Sequence, residues 1–159
     1  MKLKTIIDED FVNYKKPSMM LATCKCDWKC CIEENLDISI CQNSDLANQK
    51  NIDVPIDTII DRYINNPITK AIVIGGLEPF LQFDEILNFV KAFRKVSKDD
   101  LVIYTGYYPD EVKTYIKELK QYPNIIIKFG RYKERQNKVF DNILGVYLLS
   151  DNQYAVKIS

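Results

Sequence analysis

The sequence predicts an α/β domain built on a mostly parallel sheet. Short apolar runs without polar alternation recur at Met19–Ala22, Ala71–Ile74, Leu101–Tyr104 and Ile125–Ile127. Such runs suit strands buried on both faces, as parallel sheets require. Between them lie stretches whose apolar residues repeat at helical spacing. Strand alternating with helix gives right-handed βαβ units.

The elements follow in order. Residues 3 to 14 combine a short apolar pattern with an acidic turn and read as an N-terminal strand or hairpin. The Met19–Ala22 strand leads directly into a loop that holds every cysteine of the chain: Cys24, Cys26, Cys30, Cys31 and Cys41. Ile56, Ile59, Ile60, Tyr63 and Ile64 then fall at i, i+3, i+4, i+7 and i+8, behind a Pro55 suited to a helix start. Phe83, Ile86, Leu87, Val90 and Phe93 repeat that spacing. So do Val112, Tyr115, Ile116 and Leu119, where Asp110 and Glu111 sit at the end the helix dipole favours for acids. These stripes read as core faces. In the tail, Ile143–Leu149 and Tyr154–Ile158 read as two strands joined at Ser150-Asp-Asn-Gln153, a hairpin closing one edge of the sheet. No repeat or linker divides the chain, so residues 1–159 are expected to form one domain.

Composition narrows the function. Lysine plus arginine and aspartate plus glutamate balance at 22 each, which gives no electrostatic footprint for nucleic acid. The N-terminus has no long apolar run of the kind a signal peptide needs, and no stretch approaches the ~20 apolar residues of a membrane span. An odd number of cysteines without an export signal predicts the reducing cytoplasm. The chain contains no histidine, which removes the usual general base and every Cys/His zinc pattern.

Each predicted parallel strand ends in an unusual loop. The cysteines follow Ala22, Gly75-Gly-Leu-Glu-Pro79 follows Ile74, Thr105-Gly-Tyr-Tyr108 follows Tyr104, and Gly130-Arg-Tyr132 follows Phe129. Parallel strands place their carboxyl ends on one edge, so these loops form one candidate site. The cysteine spacing alone leaves an iron–sulfur cluster, a zinc site and unliganded thiols open. Cys30 and Cys31 are expected to diverge, as adjacent side chains do in regular backbone. The glycines at 75 and 76 let a ligand approach the strand end, where backbone carbonyls and Glu78 would accept from a charged amine. Trp28 reads as packing, and Arg131, Lys133 and Arg135 as a solvated face.

Cys26-Asp-Trp-Lys-Cys30 followed by Gly75-Gly-Leu-Glu-Pro79 resembles the radical S-adenosylmethionine superfamily, with its C-x3-C-x2-C and G-G-E-P motifs. More narrowly, the chain resembles the activating components of anaerobic ribonucleoside-triphosphate reductases. Asp10-Phe-Val-Asn-Tyr14, Cys41-Gln-Asn43, Leu101–Tyr107 and Ser150–Gln153 support that likeness. Two departures stand out. Ten residues separate Cys30 from Cys41 where the family has two, and Leu77 is an extra residue in the glycine turn.

The resemblance implies a partial (half) β/α barrel and a 4Fe-4S cluster on Cys26, Cys30 and Cys41, with one iron open to S-adenosyl-L-methionine. It implies Gly75, Gly76 and Glu78 around the methionyl ammonium, with Thr105 a further cofactor contact. No protein side chain is expected to act as a catalytic acid or base. The chemistry implied is generation of a 5′-deoxyadenosyl radical that activates a glycyl radical protein, such as the large subunit of anaerobic ribonucleotide reductase, with an electron donor such as flavodoxin. The alternatives are a small radical enzyme acting on a metabolite and a non-catalytic iron–sulfur or zinc module. On this reading Cys24 and Cys31 are not ligands. The stretch between Cys30 and Cys41 loops outward, kept polar by Glu33, Glu34 and Asp37.

Overall fold

The computed structural model describes all residues from Met1 to Ser159. In chain order its elements begin with β1 (Lys2–Leu3), β2 (Thr5–Asp10) and β3 (Ser18–Thr23). The cysteine region then forms α1 (Lys29–Glu33), a 3-10 turn at Ile38–Ile40 and α2 (Ser44–Asn48). There follow β4 (Ile52–Asp53), α3 (Ile56–Ile64), β5 (Ala71–Gly76), α4 (Phe83–Val96), β6 (Asp100–Tyr104), α5 (Lys113–Leu119) and β7 (Ile125–Phe129). Further 3-10 turns at Pro79–Gln82 and Pro109–Val112 lead into α4 and α5. The tail forms β8 (Val139–Asp141), β9 (Val146–Leu148) and β10 (Tyr154–Lys157).

Six strands make one sheet in the order β10-β7-β6-β5-β3-β2. The four central strands β3, β5, β6 and β7 run parallel in chain order, while β2 and β10 pair antiparallel on the two edges. The N-terminal apolar pattern thus becomes an edge strand folded back on β3. The tail pairs differently from the hairpin expected of it. β9 pairs with β8 in a separate ribbon, and β10 lies against β7. The apolar content of the two tail segments could not separate these pairings, because either gives an antiparallel strand with one buried side.

Alternation along the strands sorts side chains between two faces. Met19, Leu21, Ile72, Ile74, Leu101, Ile103, Ile125 and Ile127 face the larger core, which also contains the buried residues of α3, α4 and α5. All three crossover helices therefore cover the same face. On the opposite face Ala71, Val73, Val102 and Ile126 pack in a smaller cluster with Tyr14, Leu144, Leu148 and Ala155. None of the three crossover helices covers that second face, and a cavity opens there that Met20, Tyr104 and Lys128 line together with residues of α1 and α2. None of the helices is long and apolar enough to cross a membrane.

Phe93 anchors the larger core. It is fully buried, edge-on to Tyr63 at 5.1 Å between ring centroids and stacked on Phe89 at 5.8 Å. Replacing Phe93 with alanine should cost about 3–5 kcal/mol. A denaturant titration of the metal-free protein checks this, with the midpoint falling and the slope unchanged.

Candidate metal centre and its cavity

The cavity at the strand ends has a volume of about 500 Å³. Cys26, Cys30 and Cys41 all line it, as do Gly76, Glu78 and Thr105. Cys24, Cys31 and Gly75 do not. Most of the site residues named from sequence thus meet in one space.

The cysteine loop reaches the cavity through a turn at Trp28, which adopts the left-handed conformation at φ 60°. A non-glycine residue there is unusual and is held by its surroundings. The backbone N–H of Trp28 lies 3.4 Å from the Cys26 sulfur, and its carbonyl accepts from Cys31 and Ile32 as α1 begins. The sulfurs of Cys30 and Cys31 stand 3.8 Å apart, so the expected divergence of these neighbours does not hold. Both lie in the first turn of a short helix, where their side chains bring the two sulfurs together. Their environments still differ, because Cys31 is buried away from the cavity.

The thiols are electrostatically coupled. A hydrogen bond with Cys30 lowers the pKa of Cys41, while that bond and burial raise Cys30. Burial raises Cys26 to about 11, partly offset by the Trp28 N–H. A bound cation would favour the thiolate forms of Cys26 and Cys30, and an all-sulfur donor set suits iron–sulfur clusters and zinc. No three Cys, Asp or Glu side chains are arranged to hold a single metal ion. A cluster places each thiolate on its own iron, so its ligands need not converge on one point. Three thiols around one cavity, one of them with the Trp28 backbone N–H 3.4 Å from its sulfur, fit that group.

The glycine turn is built as tightly as its sequence suggests. Gly76 has φ +85°, and a Cβ there would meet the Ala22 Cα at 3.2 Å and the Leu46 Cδ2 at 2.9 Å. Its carbonyl accepts from Asn43 Nδ2 at 2.6 Å, while the Gly75 carbonyl accepts from Thr23 Oγ1 at 2.9 Å. Glu78 is 6 % exposed. Its Oε1 accepts from Phe80 N at 3.0 Å and Thr105 Oγ1 at 2.7 Å, and its Oε2 accepts from Gly106 N at 2.8 Å. Burial raises the Glu78 pKa, and these hydrogen bonds oppose that shift. Thr105 therefore orients Glu78 while itself facing the cavity.

Lys128 was missed by sequence reasoning. It is the polar member of the run Ile125-Ile-Ile-Lys-Phe129, and the period of the strand turns it to the cavity face beside Tyr104. It is 6 % exposed, donates to the Gly130 carbonyl at 2.9 Å and forms no ion pair. Burial lowers its pKa to about 8, with Glu78 and then Cys30 opposing. A lysine interrupting a buried strand is the signal that could have found it.

Arg131 also departs from expectation. Its side chain is 5 % exposed, not solvated, and its Nη1 and Nη2 donate to the two oxygens of Glu111 at 2.9 and 2.6 Å. Glu111 also accepts from Lys29 Nζ at 3.1 Å and from Tyr108 N at 2.8 Å. Lys133 pairs with Glu34 at 3.4 Å, and only Arg135 is freely solvated. The stretch after Cys30 exposes Ile32, Ile38 and Ile40, so it is less polar than its acids suggested.

Glu111 carries a pH signature. Chiefly through Arg131, its pKa falls from the ordinary 4.5 to about 2. A depressed carboxylate contributes stability that is present above its ordinary pKa and lost as pH falls toward the folded value. Glu111→Gln should therefore lower the thermal midpoint of the metal-free protein near neutrality. The gap from the parent should close between about pH 4.5 and pH 2. A constant gap across that range would show that the Glu111 charge contributes nothing.

The model of the 4Fe-4S single cluster domain family matches residues 16–153, a span from two residues before β3 to the residue before β10. No curated protein and no solved structure matches the chain. The match includes the whole cysteine loop and every strand-end loop of the cavity. The chain belongs to the 4Fe-4S single cluster domain family and is an iron–sulfur protein.

Proposed function

We propose that Cys26, Cys30 and Cys41 hold the cluster and that the adjoining cavity binds S-adenosyl-L-methionine. The product is a 5′-deoxyadenosyl radical that activates a glycyl radical enzyme, such as anaerobic ribonucleotide reductase. The observation that carries this reading is one cavity shared by three cysteines, a glycine turn with a buried carboxylate, and a buried unpaired ammonium. When bound, the reduced cluster supplies the electron that cleaves the sulfonium to methionine and the adenosyl radical.

The residues of the chain bind and orient. The Gly76 carbonyl keeps a lone pair beyond its bond from Asn43, and Glu78 Oε2 keeps one beyond its bond from Gly106, so both can accept from the methionyl ammonium. Lys128 has donors left after Gly130 and can take the carboxylate of the same amino acid. The fold reading that goes with this function is half of a β/α barrel. Parallel strands in chain order, with every crossover helix on one face, support it. Five unpaired cysteines suit a reducing cytoplasm and a reduced donor such as flavodoxin.

The reading is tested by anaerobic reconstitution with iron and sulfide, then incubation with S-adenosyl-L-methionine and reductant. We expect absorbance that bleaches on reduction, 5′-deoxyadenosine, and a glycyl radical signal when the reductase subunit is added. A radical that needs a small-molecule substrate instead would favour a metabolite enzyme. A bleaching cluster without 5′-deoxyadenosine would leave a non-catalytic module. Cys41→Ala should lose the cluster or leave an incomplete one, while Cys24→Ala should keep its iron. Cys31→Ala should also keep it, and loss of iron there with retention in Cys41→Ala would reverse the ligand assignment.

Lys128→Met keeps the apolar stem and removes the ammonium. It should weaken cofactor binding by about 1.5–3 kcal/mol, the scale of a hydrogen bond to a charged group, with iron content unchanged. Anaerobic titration measures this, and equal affinity for parent and variant would remove Lys128 from the site.

A further inference from the structure

The helix that carries Cys30 has little to hold it. α1 buries only Cys31, exposes 68 % of Ile32, and starts at Trp28 without a side-chain cap. A helix this short is not stable by itself, so its placement depends on tertiary contacts. Those contacts are polar. Lys29, its first residue, reaches Glu111, and Glu33, its last, lies 3.0 Å from Arg131 Nε. The second contact is an ion pair without hydrogen-bond alignment, because Nε is buried with no aligned acceptor.

Both arms meet at one guanidinium. Arg131 stands on the loop after β7 and grips Glu111, on the loop after β6, through both of its terminal nitrogens. It packs against the Tyr108 ring at 5.0 Å. Glu34–Lys133, a partly exposed pair, is worth little by comparison.

We infer that Arg131 is a positioning residue: acting through Glu111 and Glu33, it sets the place of the Cys30 helix relative to the strand ends. The inference rests on the reading that Cys30 ligates the cluster. If ligand groups at Gly76, Glu78 and Lys128 must meet an open iron, the separation of α1 from the strand ends is the dimension that matters. Arg131 acts on it from the loop after β7, through contacts separate from the Gly76–Asn43 bond. Lysine cannot replace it, because a point ammonium cannot serve two oxygens of Glu111 and also Glu33.

The test compares parent, Arg131→Lys and Glu33→Gln after reconstitution. Glu33 is half exposed, so its variant should melt like the parent, and it probes the contact to α1 alone. The first measurements need no cofactor: the reduction potential of the cluster and its lifetime in air. We expect both variants to take up full iron, with a shifted potential and several-fold faster loss in air, the lysine variant more strongly. With S-adenosyl-L-methionine, 5′-deoxyadenosine formation at saturation should fall roughly ten- to a hundredfold in Arg131→Lys, with affinity nearly unchanged, as misplacement of reacting groups predicts. Parent-like potential and lifetime in Arg131→Lys would overturn the inference. Should that variant not fold, a parent-like Glu33→Gln would overturn it. A parent that holds its cluster but makes no 5′-deoxyadenosine would defeat the functional reading alone, and potential and lifetime would still decide the role of Arg131.

Discussion

A single buried carboxylate joins the loops from which the site is made. The Glu78 backbone N–H donates to the Lys25 carbonyl at 2.7 Å, which ties the cysteine loop to the end of β5. Its side chain accepts from Thr105 and Gly106, which ties β5 to the loop after β6. A charge with so little access to water is tolerated only because each oxygen has donors supplied by the fold. Its carboxylate thus holds β5 to the loop after β6, while its backbone N–H holds Lys25, between Cys24 and Cys26, to the end of β5. A neighbouring loop cannot move without stranding a polar group. The larger share of the apolar packing lies on the helix-covered face of the sheet, and a smaller cluster lies on the cavity face.

That division explains what the sequence made legible. Ala71–Ile74 and Leu101–Tyr104 are recognisable as strands because both of their faces are buried, and burial is what an apolar run records. The stripe from Phe83 to Phe93 is recognisable because one core accepts it. The meeting of Cys26, Cys30, Cys41, Gly76 and Glu78 followed from topology alone, since parallel strands bring their carboxyl ends to one edge. Less legible were features set by pairs far apart in sequence. Whether β9 would join β8 or β10 depends on competition between partners of similar pattern. Arg131 looked solvated because its partner Glu111 is twenty residues away on another loop, and single-residue polarity says nothing about pairing.

Lys128 and Cys31 show a further limit. Composition treats a lysine in a strand as an interruption, and here it is a cation turned into the cavity by the period of the strand. Cys31 follows Cys30 directly, and regular backbone would send the two side chains apart. The left-handed turn at Trp28 starts a helix so short that neighbouring packing, not helical regularity, governs its rotamers. The structure separates the two by burial where sequence could only separate them by direction.

The long gap between Cys30 and Cys41 then has a physical account. Lengthening a connection from two to ten residues adds only about 1–1.5 kcal/mol of closure entropy. One well-made hydrogen bond contributes about 0.5–1.5 kcal/mol, so a single anchor can offset most of that cost. Asn43 supplies one, donating to the Gly76 carbonyl two residues beyond Cys41. The stretch wanders through α1, a 3-10 turn and exposed isoleucines, yet its end returns to the strand edge, where Cys41 lines the cavity. Length between the cysteines is free to vary, whereas the residues that fix where the chain returns are not.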